Sequence, residues 1–188
     1  MAIEITEIKA FYNSLYTLNM EPGVGLEQIS KSLEASGSTK KASNSGGWQS
    51  DIQTYESIKY VQPFLDKILL LANKIYLEFN INKEAKLLNY WFNTNRTHNF
   101  NWAHNHPHSF FSAIFYIKTT DKTGNLIFER PDALREWIQI AKTNEKNTDS
   151  LVFTPRDNDI IFFPSHIKHR VEQNNSDDDR MSVAFNFK

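Results

Sequence analysis

Apolar residues recur at helical spacing through residues 55–79. Val61, Phe64, Leu65, Ile68, Leu71, Ala72, Ile75 and Phe79 share one side, and Asp66, Lys67, Asn73 and Lys74 interrupt the other. That pattern predicts an amphipathic helix laid on a sheet. Leu26–Leu33 predicts a shorter helix that stops at Gly37. From Ala85 the pattern changes to strands, at 86–95, 100–104 and 110–118. The last of these is nearly all apolar, as a strand covered on both faces requires. Shorter strands are expected at 124–128, 151–154 and 159–163, the last two around a Pro155-Arg156-Asp157-Asn158 turn. Residues 167–172 and 181–187 read as a hairpin across the polar stretch 173–179. Residues 3–18 read as one or two strands, with Ile5, Ile8 and Phe11 toward the core, and 132–143 as a helix with a Leu134, Trp137, Ile138, Ala141 stripe. Helices come mostly first and about eight short strands follow. This order predicts a mainly β protein with flanking helices, a double-sheet jelly roll with the N-terminal helices packed on one sheet. Residues 1–188 fit one domain.

Composition narrows the functional classes. Net charge is −1 with no basic tail, which disfavours nucleic-acid binding driven by phosphate neutralisation. The absence of cysteine excludes disulfides, thiolate metal sites and a cysteine nucleophile. Met1–Glu4 lacks the basic region and apolar core of a signal peptide. A cytoplasmic location is the expectation. No run of about 18 apolar residues exists, so no membrane span is expected.

The chemistry concentrates in Ala103–Ser109, where three histidines fall within five residues. Imidazole is the commonest metal ligand among side chains. A His104-x-His106 step at a strand edge places both rings on one face, and a third nitrogen from elsewhere would complete an open site. His169 is the candidate. By itself, a histidine flanked by Ile167 and Val171 reads first as a core histidine. Pro107 bends the chain before His108, leaving His108 as a pocket or surface residue. Trp48, in the loop Ser43–Ser50, either plugs the core or lines a pocket, and the core is the default for a large aromatic. On the last strand Arg180, Ser182, Ala184 and Asn186 share one face, opposite Met181, Val183, Phe185 and Phe187. An inward arginine needs an anion. A ligand carboxylate and the adjacent Asp177–Asp179 are both open as partners.

Taken together, these pieces resemble the 2-oxoglutarate/Fe(II)-dependent dioxygenases over roughly residues 43–188. The nearest form is the group of small prolyl-hydroxylase-like oxygenases common in marine bacteria and phages. The matching segments are Ser43–Ser50, the Trp91–Asn95 strand, His104-x-His106-Pro107 with Ser112 and Tyr116, Phe163-Pro164-Ser165 with His169, and Arg180-x-Ser182 with Phe185-Asn186. The resemblance implies a double-stranded β-helix and an Fe(II) centre on His104, His106 and His169. It implies 2-oxoglutarate as co-substrate, its far carboxylate bound by Arg180 and Ser182 with help from Tyr116 and Asn93. O2 and a small-molecule or peptide substrate, such as a protein proline, would complete the reaction, a hydroxylation coupled to oxidative decarboxylation of 2-oxoglutarate. Trp48 and His108 would stand at the pocket rim. If the chain is phage-encoded, the expected location becomes the host cytoplasm. One departure stands out: the usual iron site is two histidines and a carboxylate, and His106 occupies the carboxylate position. The competing readings are a cupin-like metalloenzyme and a non-catalytic jelly-roll binding module. Phe110 and Phe111 stand where a cupin glutamate would fall.

Overall fold

Alternation along the strands builds two antiparallel sheets. A computed structural model describes residues 13–37, 39–131, 142, 144 and 147–188. Of the strands expected over 3–18, residues 3–12 lie outside the described residues, as does most of the expected helix at 132–143. The elements in chain order are β1 Tyr16–Asn19, α1 Leu26–Ser36, β2 Asn44–Ser45 and β3 Trp48–Gln49. A 3-10 turn at Lys59–Val61 leads into α2 Gln62–Glu78. Then come β4 Leu87–Asn95, β5 Phe100–His104, β6 Phe111–Lys118, β7 Leu126–Glu129, β8 Ser150–Phe153, β9 Asp159–Pro164, β10 His169–Val171 and β11 Arg180–Phe187. The apolar stripe begins at 55, but the α-helix itself starts only at Gln62, with Pro63 in its first turn. Proline fits there because that N–H has no intrahelical partner.

One sheet runs β1-β9-β6-β11-β4-β3 and the other β2-β5-β10-β7-β8. The result is a mainly β, jelly-roll-like pair of sheets with few helices. The larger sheet is apolar on the side that meets α2. There Phe64 lies edge-on to Phe115, with ring centroids 4.9 Å apart, and tilts against Phe185 at 6.0 Å. Tyr90, Phe92, Val183, Phe185 and Phe187 complete that layer, all fully buried. A second apolar cluster, Ile114, Tyr116, Leu126, Phe128, Ile161, Phe163, Ile167 and Ala184, fills the space between the sheets.

Two expectations are corrected. The segments around His169 and Arg180 do not pair as a hairpin. Both edges of β10 are taken by β5 and β7, and both edges of β11 by β6 and β4. The connection between them therefore crosses from one sheet to the other. Trp48 is not at a pocket rim. It pairs with Thr94 at the edge of the larger sheet and is only 6% exposed within the main core. Trp48→Ala is therefore expected to cost about 3–5 kcal/mol of stability in urea denaturation, with 2-oxoglutarate affinity unchanged. A stable variant with weakened co-substrate binding would return Trp48 to the rim.

Candidate metal centre

β5 ends at His104 and β10 begins at His169, and the two residues are direct cross-strand partners. His106 lies two residues past β5, where its N–H donates to the Ser165 carbonyl at 3.0 Å. The His-x-His step thus straddles the end of a strand rather than opening one. Its shared direction comes from that anchor as much as from alternation. One ring nitrogen from each of His104, His106 and His169 lies within 4.8 Å of the other two. Ring centroids are 4.4 Å apart for His104 and His169, 5.1 Å for His106 and His169, and 5.3 Å for His104 and His106.

Hydrogen bonds decide which nitrogen each ring offers. His104 Nδ1 lies 2.7 Å from the Trp102 carbonyl, and His169 Nδ1 lies 3.1 Å from the Ile167 carbonyl. A carbonyl only accepts, so both Nδ1 atoms carry the proton and both Nε2 atoms keep a lone pair. Ser43 Oγ, 3.4 Å from His104 Nε2, is the donor at that contact. Burial disfavours the charged imidazolium. It pushes His106 down to about 4 and His169 to about 3, the latter helped by the two neighbouring rings. Burial also holds His104 below its ordinary value, partly offset by the Trp102 carbonyl. Neutral rings with bare Nε2 atoms are the form that binds metal.

The rings open onto a cavity of about 510 Å³. Its opposite wall is the second face of the larger sheet. Ser182 sits between Asn93 on β4 and Tyr116 on β6, and all three line the cavity with Arg180. Arg180 is 2% exposed. Its Nη1 donates to the Thr123 carbonyl and, at 3.1 Å, to the Glu172 carbonyl. Gly124, at φ +88°, lets those carbonyls close round the guanidinium, since a Cβ there would stand 3.0 Å from Nη1 and 2.7 Å from the Glu172 oxygen. Arg180 Nη2 is buried with no hydrogen-bond partner among the described residues. Among the described residues no ion pair joins Arg180 to the aspartate turn. Asp178 instead faces Lys118 at 3.5 Å. Burial lowers Arg180 to about 10, so it stays charged at neutral pH. It also raises the fully buried Tyr116, which remains a neutral phenol. Among the described residues lining the cavity none is Asp or Glu.

A model of the family described as "Putative 2OG-Fe(II) oxygenase" matches residues 89–186. The chain belongs to this 2-oxoglutarate/Fe(II) oxygenase family. Its metal and co-substrate are accordingly Fe(II) and 2-oxoglutarate. No curated protein sequence matches the chain. Among solved structures it is similar to a Pseudomonas putida prolyl-4-hydroxylase, with TM-score 0.68 and 12% identity over 94% of this chain and 92% of that one. It is similar to HygX from Streptomyces hygroscopicus with nickel and 2-oxoglutarate bound, with TM-score 0.61 and 12% identity over 93% and 82%. A third is the prolyl hydroxylase from Trichoplax adhaerens in complex with a hypoxia inducible factor peptide, with TM-score 0.60 and 14% identity over 92% and 82%.

The structure brings His104, His106, His169, Arg180, Ser182, Tyr116 and Asn93 to one cavity. It leaves out His108, which is exposed at φ +68° beyond Pro107 and away from the lining. The rim expectation for His108 is corrected accordingly, because the turn carries its side chain to solvent. Trp91, Trp102 and Ile52 line the cavity without having been singled out for it. Trp102 and Ile52 are 64% and 63% exposed. Trp91 was foreseeable, since it shares a β4 face with Asn93, whereas Ile52 and Trp102 depend on loop placement.

A histidine held neutral in the fold but protonated when unfolded makes folding less favourable as pH falls. The apoprotein should therefore be fully stable above about pH 6.5 and lose stability from there toward pH 4, with each such ring contributing up to about 1.4 kcal/mol per pH unit. Urea midpoints for wild type and His169→Leu between pH 7 and 5 test this, above the range where carboxylates titrate. The variant should show the shallower slope, and identical slopes would refute the assignment.

Proposed function

We propose that residues 1–188 form a single oxygenase-like domain that hydroxylates a substrate through Fe(II) held by His104, His106 and His169. Arg180, with Ser182, Tyr116 and Asn93, binds 2-oxoglutarate. The observation that carries this reading is the Arg180 guanidinium. It is buried, charged, and satisfied on one side only: Nη2 is buried without a hydrogen-bond partner, and the residue lines the cavity that the three histidines face. A buried charge without a counter-ion is costly, and the guanidinium fork suits a carboxylate. The metal donors fit as well: three neutral rings offer Nε2 lone pairs, and the first-row metal distance is about 2.0–2.2 Å.

Bound iron and 2-oxoglutarate would supply the oxidising power for a C–H bond, with O2 as oxidant and succinate and CO2 as products. The chain's own contribution is positional and electrostatic. Arg180 fixes the far end of the diacid on the larger sheet, while the three rings stand on the smaller sheet's side. Neutral imidazoles leave the metal its full double charge, which favours a dianionic co-substrate. Tyr116 and Ser182 supply neutral hydroxyls on the same wall. Trp102 and Ile52, both largely exposed, offer apolar surface at the mouth for the substrate.

We take a protein side chain such as proline as the substrate class. Support comes from similarity in fold to the Pseudomonas putida prolyl-4-hydroxylase and the Trichoplax adhaerens enzyme with its peptide. A small molecule is the alternative, given the same fold in HygX. The action is assigned to the cytoplasm. Among the described residues no helix is long and apolar enough to cross a membrane.

Arg180→Ala is expected to raise the 2-oxoglutarate concentration needed for half-saturation by roughly ten- to a hundredfold, since a charged hydrogen bond contributes about 1.5–3 kcal/mol and 1.4 kcal/mol is tenfold. Arg180→Lys should recover part of this, because a point charge replaces a fork. Metal affinity should be unchanged in both. The readout is anaerobic titration of 2-oxoglutarate into the Fe(II)-loaded protein, followed by the chelate's visible charge-transfer band, with thermal melts as the folding control. Equal half-saturation in all three proteins would defeat the reading.

A further inference from the structure

We infer that Asn186 is a positioning residue that selects the Nδ1–H tautomer of His106 and thereby makes Nε2 available as the third metal ligand. The inference rests on the proposed ligand set. A carboxylate in that position would have no tautomer to choose. An imidazole has two, and only one leaves Nε2 bare while Nδ1 is turned away. His104 and His169 are set by backbone carbonyls, which can only accept. His106 faces a side-chain amide instead, at 2.6 Å between Nδ1 and Asn186 Oδ1. An amide can present either an acceptor or a donor, so the choice falls to whatever holds the amide.

In the orientation the structure shows, with Oδ1 toward His106, the surrounding hydrogen bonds are mutually consistent. Asn186 has Asn89 and Ser112 as its cross-strand neighbours on β4 and β6. Asn186 Nδ2 donates to Asn89 Oδ1 at 3.0 Å, and Ser112 Oγ donates to Asn186 Oδ1 at 2.8 Å. Ser112 Oγ also lies 2.7 Å from Ser165 Oγ. A hydroxyl has one proton, and that of Ser112 goes to Asn186, so Ser165 is the donor to Ser112. Every proton then has one place. Ser165 donates to Ser112, Ser112 to Asn186 Oδ1, His106 Nδ1–H to the same oxygen, and Asn186 Nδ2 onward to Asn89. The reverse amide orientation would set Nδ2 against Ser112, which would have to turn its proton away, and against His106 Nδ1, which would move the ring proton to Nε2. Ser112, Ser165 and His106 are buried, and Asn186 is 9% exposed, so water offers little competition. Ser165 contributes twice, since its carbonyl also anchors the His106 backbone N–H.

Two measurements on the full chain test this. In metal-free wild type with 15N-labelled histidine, two-bond ¹H–¹⁵N correlations should show His106 protonated at Nδ1 and bare at Nε2. Asn186→Leu should populate the Nε2–H form and weaken Ni(II) binding by roughly ten- to a hundredfold, as loss of such outer partners does. Asn186→Asp keeps an acceptor, and Asn89 can turn its amide to donate, so tautomer and affinity should both return. Circular dichroism checks the fold of each variant. If the leucine variant does not fold, the wild-type spectrum and the aspartate variant decide. An Nε2–H ring in wild type, or unchanged Ni(II) affinity in folded Asn186→Leu, overturns the role of Asn186. His106→Ala separates this from the ligand set. If that variant binds Ni(II) as wild type does, His106 is not a ligand. If it loses affinity while Asn186→Leu does not, only the positioning role falls.

Discussion

β11 is buried at all eight of its positions, and most of the site depends on that constraint. A strand with two dry faces must satisfy two different chemistries at alternate residues. Val183, Phe185 and Phe187 meet the apolar demand in the core shared with α2, and Met181 is buried as well. Arg180, Ser182, Ala184 and Asn186 face the cavity, and each polar one must find partners there or leave a group free for a ligand. β4 and β6 lie in register on either side and continue the same division. Asn89, Trp91, Asn93 and Asn95 turn to the cavity from one, and Ser112, Ile114 and Tyr116 share that face on the other. This cavity wall is thus one sheet's polar face, backed by the packing of its apolar face.

Electrostatics divide the cavity into two ends. At one end, three histidines are kept neutral by burial, with no carboxylate among the described lining residues. At the other, Arg180 keeps its charge by bonding two carbonyls, while Nη2 is left unsatisfied. Each end is costly alone, as a buried charge or desolvated nitrogens always are. A divalent cation at the first end and a carboxylate at the second would relieve both.

The two ends also come from different sheets. His104 and His169 are neighbours on β5 and β10, and His106 is tied to Ser165 beyond β9, whereas the arginine belongs to β11. The relative placement of the sheets therefore sets the distance between the histidines and the arginine. Residues under α2 support that placement without touching the site. The Asn186 network links the halves directly, joining β4, β11 and β6 to the histidine past the end of β5.

Periodicity alone placed much of this. The alternation of Arg180 and Ser182 against Val183 and Phe185, the histidine spacing, the buried β6 run and the amphipathic α2 are local patterns, and local geometry preserves them. Asn186 was on the cavity face by the same alternation, although its partner was not visible. What the sequence could not decide was which strand edges meet. A hairpin between the His169 and Arg180 segments looked natural across a polar turn. In the fold those edges are claimed by β5, β7, β4 and β6. Trp48 and His108 were misplaced for a related reason. Whether a loop aromatic turns inward, or a histidine after a proline turns outward, depends on neighbours distant in the chain. The contacts of Asn186 lie at the same level: strand pairing brings Ser112, 74 positions away, beside it, and the packing of the two sheets brings His106, 80 positions away, within hydrogen-bond reach.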